Sequence, residues 1–340
     1  MTRFLLTIAL SAVLLISCSQ EEPLARRTQI LMGTLVEIAL KQSDAEKSRH
    51  AVDLAFDEIK RIENLFSSYL PDSEISRLNR NAGEGWETLS SETIEVLKRA
   101  QYWSEWSQGA FDITVGPAVA LWKFDDDQPT LPSSEQIDLA VGLINYRDIQ
   151  IKEGQARLAR KGMSVQLGAI GKGYAVDRAI KILQEEGISD AFINAGGDLK
   201  SIGMRSPEVA WKIGLQHPRY PDKMIGAFSL SKRAIATSGD YQKYFIQGGQ
   251  RYHHILNPKT GRPAEESGVI SATVLANSVM DADALATALF VMGPQALEKI
   301  RLLDNTEAMV ILKSGKTFFT PGFQTQPGFI YRGFEPGMIG

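Results

Sequence analysis

Asp283 and Thr287, four residues apart in Asp281-Ala-Asp-Ala-Leu-Ala-Thr287, carry oxygens in a run of otherwise small, apolar residues. On a helix that spacing puts both on one face. A carboxylate beside a hydroxyl suits Mg²⁺, a hard ion that takes few protein ligands and fills its shell with phosphate oxygens and water. The same pair also fits an aspartate placed for the helix dipole and a threonine bonded back to its own helix. A second stretch, Gln166-Leu-Gly-Ala-Ile-Gly-Lys-Gly-Tyr174, sets three glycines and Lys172 where a helix opens. Backbone N–H groups and the ammonium can there face an anion. The Walker A pattern is not met, because Gln166 stands where its first glycine belongs and Gly173 where Ser or Thr is required. Tight helix–sheet packing is the other use of those glycines.

The chain has four histidines, and two of them, His253 and His254, are adjacent beside a turn built from Asn257, Pro258 and Gly261. Neighbours on a strand point to opposite faces, so one of them at most serves a given pocket. On spacing alone a hydrogen-bonded structural histidine is favoured over a catalytic one. His50 and His217 read as surface or packing residues. A further stretch, Gly109-Ala-Phe-Asp-Ile-Thr-Val-Gly-Pro117, reads as a helix exit into a strand bounded by glycine and proline.

The elements that must hold these groups are legible in outline. Thr28 to Leu40 alternates imperfectly and predicts a strand, with Gly33 at a bulge. Ser43 to Glu46 has capping-box spacing, and apolar residues from Val52 to Phe66 then recur at helical intervals until Pro71 ends the run. Further helices are expected from Ser90 or Ser91 to about Ser107, from Gly171 to Glu186, and from Ser278 to Met292, with a short one after Pro294. Strands are expected at Ala191–Asn194, Trp211–Gln216 and Gly268–Val274. Without a regular strand–helix–strand rhythm, the pattern predicts an α+β fold of mostly antiparallel sheets flanked by helices.

Composition sets the remaining bounds. The 340 residues are 44% hydrophobic and 23% charged, with a net charge of −3, enough for a sizeable core and unlike a dedicated nucleic-acid binder. There is one cysteine, which excludes an intramolecular disulfide and any Cys-rich metal site. Its place is informative. A short basic start and an apolar run from Phe4 to Ile16 have the proportions of an export signal and end in Leu15-Ile16-Ser17-Cys18, similar to a bacterial lipobox. An ordinary cleaved signal with an incidental cysteine is the other reading; as a lipoprotein, the expected organisation is a signal over 1–17, a polar tether over 18–26 lipidated at Cys18, one catalytic body over 27–330 with the site between two lobes, and a tail over 331–340. Such a protein would be held in the cell envelope by its lipid, facing outside the cytoplasm.

Eight segments in order then resemble one family. They are Met32-Gly-Thr34, Ser73-Glu-Ile-Ser-Arg-Leu-Asn79, Phe111-Asp-Ile-Thr-Val-Gly-Pro117, Gly168-Ala-Ile-Gly-Lys-Gly-Tyr-Ala-Val-Asp177, Asn194-Ala-Gly-Gly-Asp198, Thr237-Ser-Gly-Asp-Tyr241, His254-Ile-Leu-Asn-Pro-Lys-Thr-Gly261 and Ala282-Asp-Ala-Leu-Ala-Thr-Ala288. The chain is similar over residues 28–320 to the FAD:protein FMN transferases, the ApbE-type flavin transferases. The resemblance implies their fold and an FAD site lined by Met32, Tyr69, Ala110, Phe111, Asp112, Gln166, Lys172 and Ile255. It also implies Mg²⁺ held by the Ala169 carbonyl, Asp283 and Thr287. The family often has aspartate where this chain has Gln166 and Asn257.

The reaction so implied moves FMN from FAD to a threonine hydroxyl of an exported or membrane redox protein, and AMP leaves. His254 is then the expected base and His253 the neighbour that faces away. Two other readings fit the same motifs: an Mg²⁺-dependent FAD pyrophosphatase and a lipoprotein that carries FAD without chemistry.

Overall fold

The computed structural model describes residues 24–124, 129, 131–206 and 208–334, so the signal region and Cys18 lie outside the described residues. Eight strands form the central sheet in the order in which they occur in the chain, and each is antiparallel to its neighbour. They are Leu24–Leu31, Thr34–Lys41, Ala191–Ala195, Asp198–Ile202, Ala234–Gly239, Val269–Ala276, Glu307–Leu312 and Thr317–Phe319. The antiparallel expectation holds. The single strand expected over 28–40 is instead a hairpin, because Met32 and Gly33 both take positive φ and turn the chain. Its first strand begins at Leu24, inside the stretch read as tether.

Alternation along the strands divides the side chains between two cores. Val36, Ile38, Ala236, Val274 and Val310 face three long helices, Ala45–Phe66, Gly171–Glu185 and Val279–Met292, which pack against one another on that side. Ile235, Leu275, Met309 and Ile311 face a small antiparallel sheet of Trp211–Gln216, Met224–Leu230 and Ile330–Tyr331. Residues 330 and 331 therefore belong to a sheet. The strand Val269–Ala276 is buried at every position and lies inside the central sheet, as its nearly unbroken apolar sequence requires.

The helix Val279–Met292 is apolar nearly all round, which marks a helix enclosed on every side. Its start is fixed three ways. Ser278 caps it by accepting the Asp281 N–H, the Asp177 carboxylate accepts the Met280 N–H at 3.0 Å, and Asp281 accepts from Arg99 and Trp103. Asp44 rather than Ser43 caps the first long helix, and Ser90 caps the helix Ser91–Trp106.

The strand expected at 109–117 is absent. Asp112 accepts the Thr114 N–H and folds the chain into a 3₁₀ turn, and Pro117 then starts the helix Gly116–Trp122, where its lost N–H costs nothing. That helix, the helix Ser134–Val141 and the hairpin Tyr244–Gln247/Gln250–His253 share a satellite core around Trp122, Leu256 and Tyr252. No helix among the described residues is long and apolar enough to cross a membrane.

Candidate active site

A cavity of about 1230 Å³ opens where the N-terminus of the helix Gly171–Glu185 meets the helix Val279–Met292 and the ends of the central strands. Every body residue singled out from the sequence lines it: Met32, Tyr69, Ala110, Phe111, Asp112, Gln166, Ala169, Lys172, His254, Ile255, Asp283 and Thr287. Asp198 and Ser238, which lie in quoted segments without an assigned role, and Glu63 and Lys243, which the sequence does not single out, also line it.

Its floor is charged. Lys172 Nζ donates to the Gly168 carbonyl at 2.6 Å and lies 3.0 Å from Asp198 Oδ2 and 3.4 Å from Asp283 Oδ2. Two buried carboxylates thus share one ammonium. Burial first, and the charge of Asp198 second, push Asp283 up to about 7 against the pull of Lys172. Asp198 is likewise raised by burial. Burial disfavours the Lys172 charge, yet the two carboxylates outweigh it and hold the ammonium protonated beyond its ordinary range. Thr287 Oγ1 lies 3.1 Å from Ser238 Oγ on the facing strand.

These residues fit a hard divalent cation. Carboxylate, hydroxyl and carbonyl oxygens are its preferred donors. The excess of negative charge on the floor is what a cation would relieve. The floor donors, Asp198, Asp283, Thr287 and the backbone carbonyls, include no sulfur and no imidazole, so the set is not that of a softer metal.

One close approach brings the two halves of this floor together. A Cβ on Gly173 would sit 2.5 Å from the Val279 carbonyl oxygen and 2.6 Å from the Met280 nitrogen. Only glycine lets the helix carrying Lys172 lie so near the helix carrying Asp283. The sequence reading of these glycines left two uses open; Gly173 serves the packing, between two helices.

The walls differ in character. Glu63 accepts the Met32 N–H at 2.7 Å and holds the hairpin tip at the cavity edge, with Met32 at φ 52°. Gln166 accepts from Ser68 at 2.8 Å and donates its backbone N–H to Ile113, tying the loop before the lysine to both neighbours. Tyr69 is 74% exposed at the mouth. Ala110 and Phe111 are buried. The Asp112 carboxylate already accepts from the Thr114 N–H and hydroxyl and from the Tyr146 N–H, so its oxygens are committed to the fold. Burial raises its pKa despite those bonds.

His254 lies in the opposite wall. The Lys243 carbonyl accepts its backbone N–H at 3.1 Å and lies 3.2 Å from its Nδ1. A carbonyl can only accept, so Nδ1 carries the proton and Nε2 is left with its lone pair. Burial pushes the imidazole down to about 4, which keeps it neutral at pH 7. His253 ends the strand Gln250–His253 and packs edge-on against Phe290 at 5.4 Å, buried in the core.

A helix-backed antiparallel sheet with a large cavity, floored by two carboxylates and an ammonium, defines the chain as an α+β protein with one buried charged site. Among proteins of that build the chain belongs to the ApbE family, whose model matches residues 32–310. It is 31% identical over 319 residues, 92% of this chain and 94% of that protein, to the FAD:protein FMN transferase of Vibrio cholerae serotype O1. It is 30% identical over 304 residues, 86% of each, to the FAD:protein FMN transferase of Escherichia coli K12. Its fold is similar to the ApbE protein of Thermotoga maritima, with a TM-score of 0.83 and 32% identity over 89% of this chain and 99% of that one. It is also similar to the flavin transferase ApbE of Vibrio cholerae, with a TM-score of 0.80 and 29% identity over 89% of this chain and 100% of that one.

Proposed function

We propose that the chain is an FAD:protein FMN transferase that attaches FMN to a threonine of an acceptor redox protein and releases AMP. The observation that carries this reading is the floor of the cavity, where Lys172, Asp198, Asp283 and Thr287 converge across from a neutral histidine. Family membership and the named relatives support the transfer of FMN from FAD. Threonine as acceptor, AMP as leaving group and Mg²⁺ are the finer parts of the proposal.

Lys172 and the N–H groups at the start of its helix bind and orient the pyrophosphate. Asp283, Thr287 and the Ala169 carbonyl are the residues that would hold Mg²⁺, which supplies charge neutralisation at the phosphates. His254 Nε2 takes the proton of the acceptor hydroxyl. A new bond forms between that oxygen and the FMN-side phosphorus, and the bond from this phosphorus to the oxygen of AMP breaks. The products are a phosphodiester-linked FMN and AMP. No covalent enzyme intermediate is needed.

The same proposal places the enzyme in the cell envelope, lipidated at Cys18 and acting outside the cytoplasm. Mass spectrometry of a threonine-bearing redox subunit after incubation with FAD and Mg²⁺ tests the reaction. Covalent FMN with AMP supports transfer. AMP with an unmodified subunit identifies a pyrophosphatase, and intact FAD a carrier; either refutes the proposal.

A further inference from the structure

The tautomer of His254 depends on one carbonyl, and the segment that carries it is held from outside the cavity. Lys243 lies just past the strand Ala234–Gly239, at the end of a short turn that begins with Asp240. Asp240 is 6% exposed and takes both arms of the Arg219 guanidinium, at 2.7 and 2.8 Å. Its backbone carbonyl accepts from Arg251 at 3.3 Å, and the Arg251 guanidinium lies 3.8 Å over the ring of Tyr244, the residue after Lys243. Arg219 is itself presented by a capped turn. His217 Nδ1 accepts the N–H groups of Arg219 and Tyr220 at 3.0 and 3.2 Å, and the His217 N–H closes the turn on the Lys223 carbonyl. That turn joins two strands of the small sheet, on the far side of the central sheet from the three helices.

We propose that Arg219 is a positioning residue for the reaction, acting through Asp240 and the Lys243 carbonyl to keep His254 protonated at Nδ1 and free to accept at Nε2. A bidentate fork fixes a carboxylate in direction as well as distance, which a single ammonium does not. Besides the fork, the turn is held by the Asp240 N–H on the Ile270 carbonyl at 3.2 Å, by the Tyr241 hydroxyl 3.4 Å from Ser271 Oγ, and by the pairing of Tyr244 with His253 that follows it, none of which fixes the direction of the Asp240 carboxylate. The Gln242 N–H reaches the Gly239 carbonyl only at 3.5 Å, and its side chain reaches the Thr237 carbonyl at 3.1 Å. Loss of the fork frees the Asp240 carboxylate, and a shift there passes along the turn to the Lys243 carbonyl, which the His254 backbone N–H then holds alone at 3.1 Å. Without that acceptor the imidazole has no reason to prefer Nδ1–H. The part concerning catalysis rests on the transfer reading above, whereas the tautomer is a property of the resting enzyme and can be read without substrate.

The experiment is ¹⁵N spectroscopy of the full chain labelled in its histidines, in which two-bond couplings separate the two neutral tautomers. Four histidines give few signals, and His254→Gln assigns the one in question. Wild type is expected to show His254 as the Nδ1–H form. Arg219→Lys, which keeps the charge and loses the fork, and the isosteric Asp240→Asn are expected to show a mixture. In both, FAD affinity should hold while FMN transfer falls by up to about 10²-fold, the scale of a misplacement near 1 Å. Far-ultraviolet circular dichroism confirms that each variant is folded. A folded Arg219→Lys with an unchanged His254 signal overturns the proposal, whatever its activity. A mixed signal in a protein whose wild type never modifies an acceptor supports the positioning and refutes only the transfer reading.

Discussion

Asp283→Asn should make the metal-free protein more stable while it abolishes turnover. In the wild type two carboxylates flank one ammonium, so one buried negative charge is uncompensated. Asp283 rises from an ordinary aspartate value of 3.8 to about 7. With the native pKa above the unfolded one, the folded protein binds more protons between those values. Stability therefore declines as pH rises from about 4 to 7, and the whole penalty is present above 7. Each pH unit is worth about 1.4 kcal/mol, so the ceiling is ~4 kcal/mol, and sharing with Asp198 lowers it to a few kcal/mol.

An asparagine carbonyl can keep the bond from the Gly173 N–H and leaves Lys172 paired with Asp198 alone. With an unfolding entropy of about 2.1 cal/mol/K per residue, a chain of 340 residues shifts by roughly 1–2 °C per kcal/mol, so metal-free Asp283→Asn should melt a few degrees above wild type at pH 8 and level with it at pH 4. Added Mg²⁺ should raise the wild-type melting temperature through mass action and leave the variant unmoved. Thermal melts in chelator and in Mg²⁺ at the two pH values decide it. A variant that melts below wild type at pH 8 in chelator, or by the same margin at both pH values, refutes the electrostatic account of the floor.

Gly173→Ala should lose stability by about 1–2 kcal/mol, because overpacking against the Val279 carbonyl outweighs the ~1 kcal/mol that alanine gains in a helix. Urea midpoints at constant m-value measure the loss, and a stabilised variant contradicts the close approach. His254→Ala should cut FMN transfer by ~10²–10⁴-fold, the range of general-base catalysis, and leave FAD binding largely intact. His253→Ala should instead cost about 1–3 kcal/mol of stability and little rate, since its ring packs on Phe290; flavin titrations, melts and single-turnover assays on both variants separate the roles. Cys18→Ser should release the protein from the detergent phase with its activity on FAD retained, and a wild-type chain without acyl mass on Cys18 contradicts the lipid anchor.

The long helices were legible because their signals are local: a capping serine or aspartate, apolar spacing, and a terminal glycine. Asp283 and Thr287 stood out for the same reason, being polar on a helix that is apolar elsewhere. Asp198 did not, because it reaches Lys172 only through a sheet pairing, and a lone aspartate after two glycines reads as a turn. Gly196 and Gly197, both at positive φ, are that turn, and they are also what returns the strand to the floor. The helix at Gly116–Trp122 was missed because glycine and proline were read as strand boundaries, whereas Asp112 and Pro117 together start a helix. His254 could be singled out by motif. The carbonyl that sets its tautomer lies eleven residues away across a hairpin, beyond the reach of spacing.

The satellite core around Trp122 and Tyr252 leaves the cavity with walls of unequal permanence. Its floor belongs to helices and strands whose removal would unfold the protein, and these positions can change little without loss of the fold. The wall from Val115 to Phe124 and the hairpin behind His254 rest on a cluster of their own, tied back by Trp122 to the Gly261 carbonyl at 2.8 Å. On the reading proposed above, substitutions there reshape which polypeptide reaches the histidine and leave the charged floor beneath untouched.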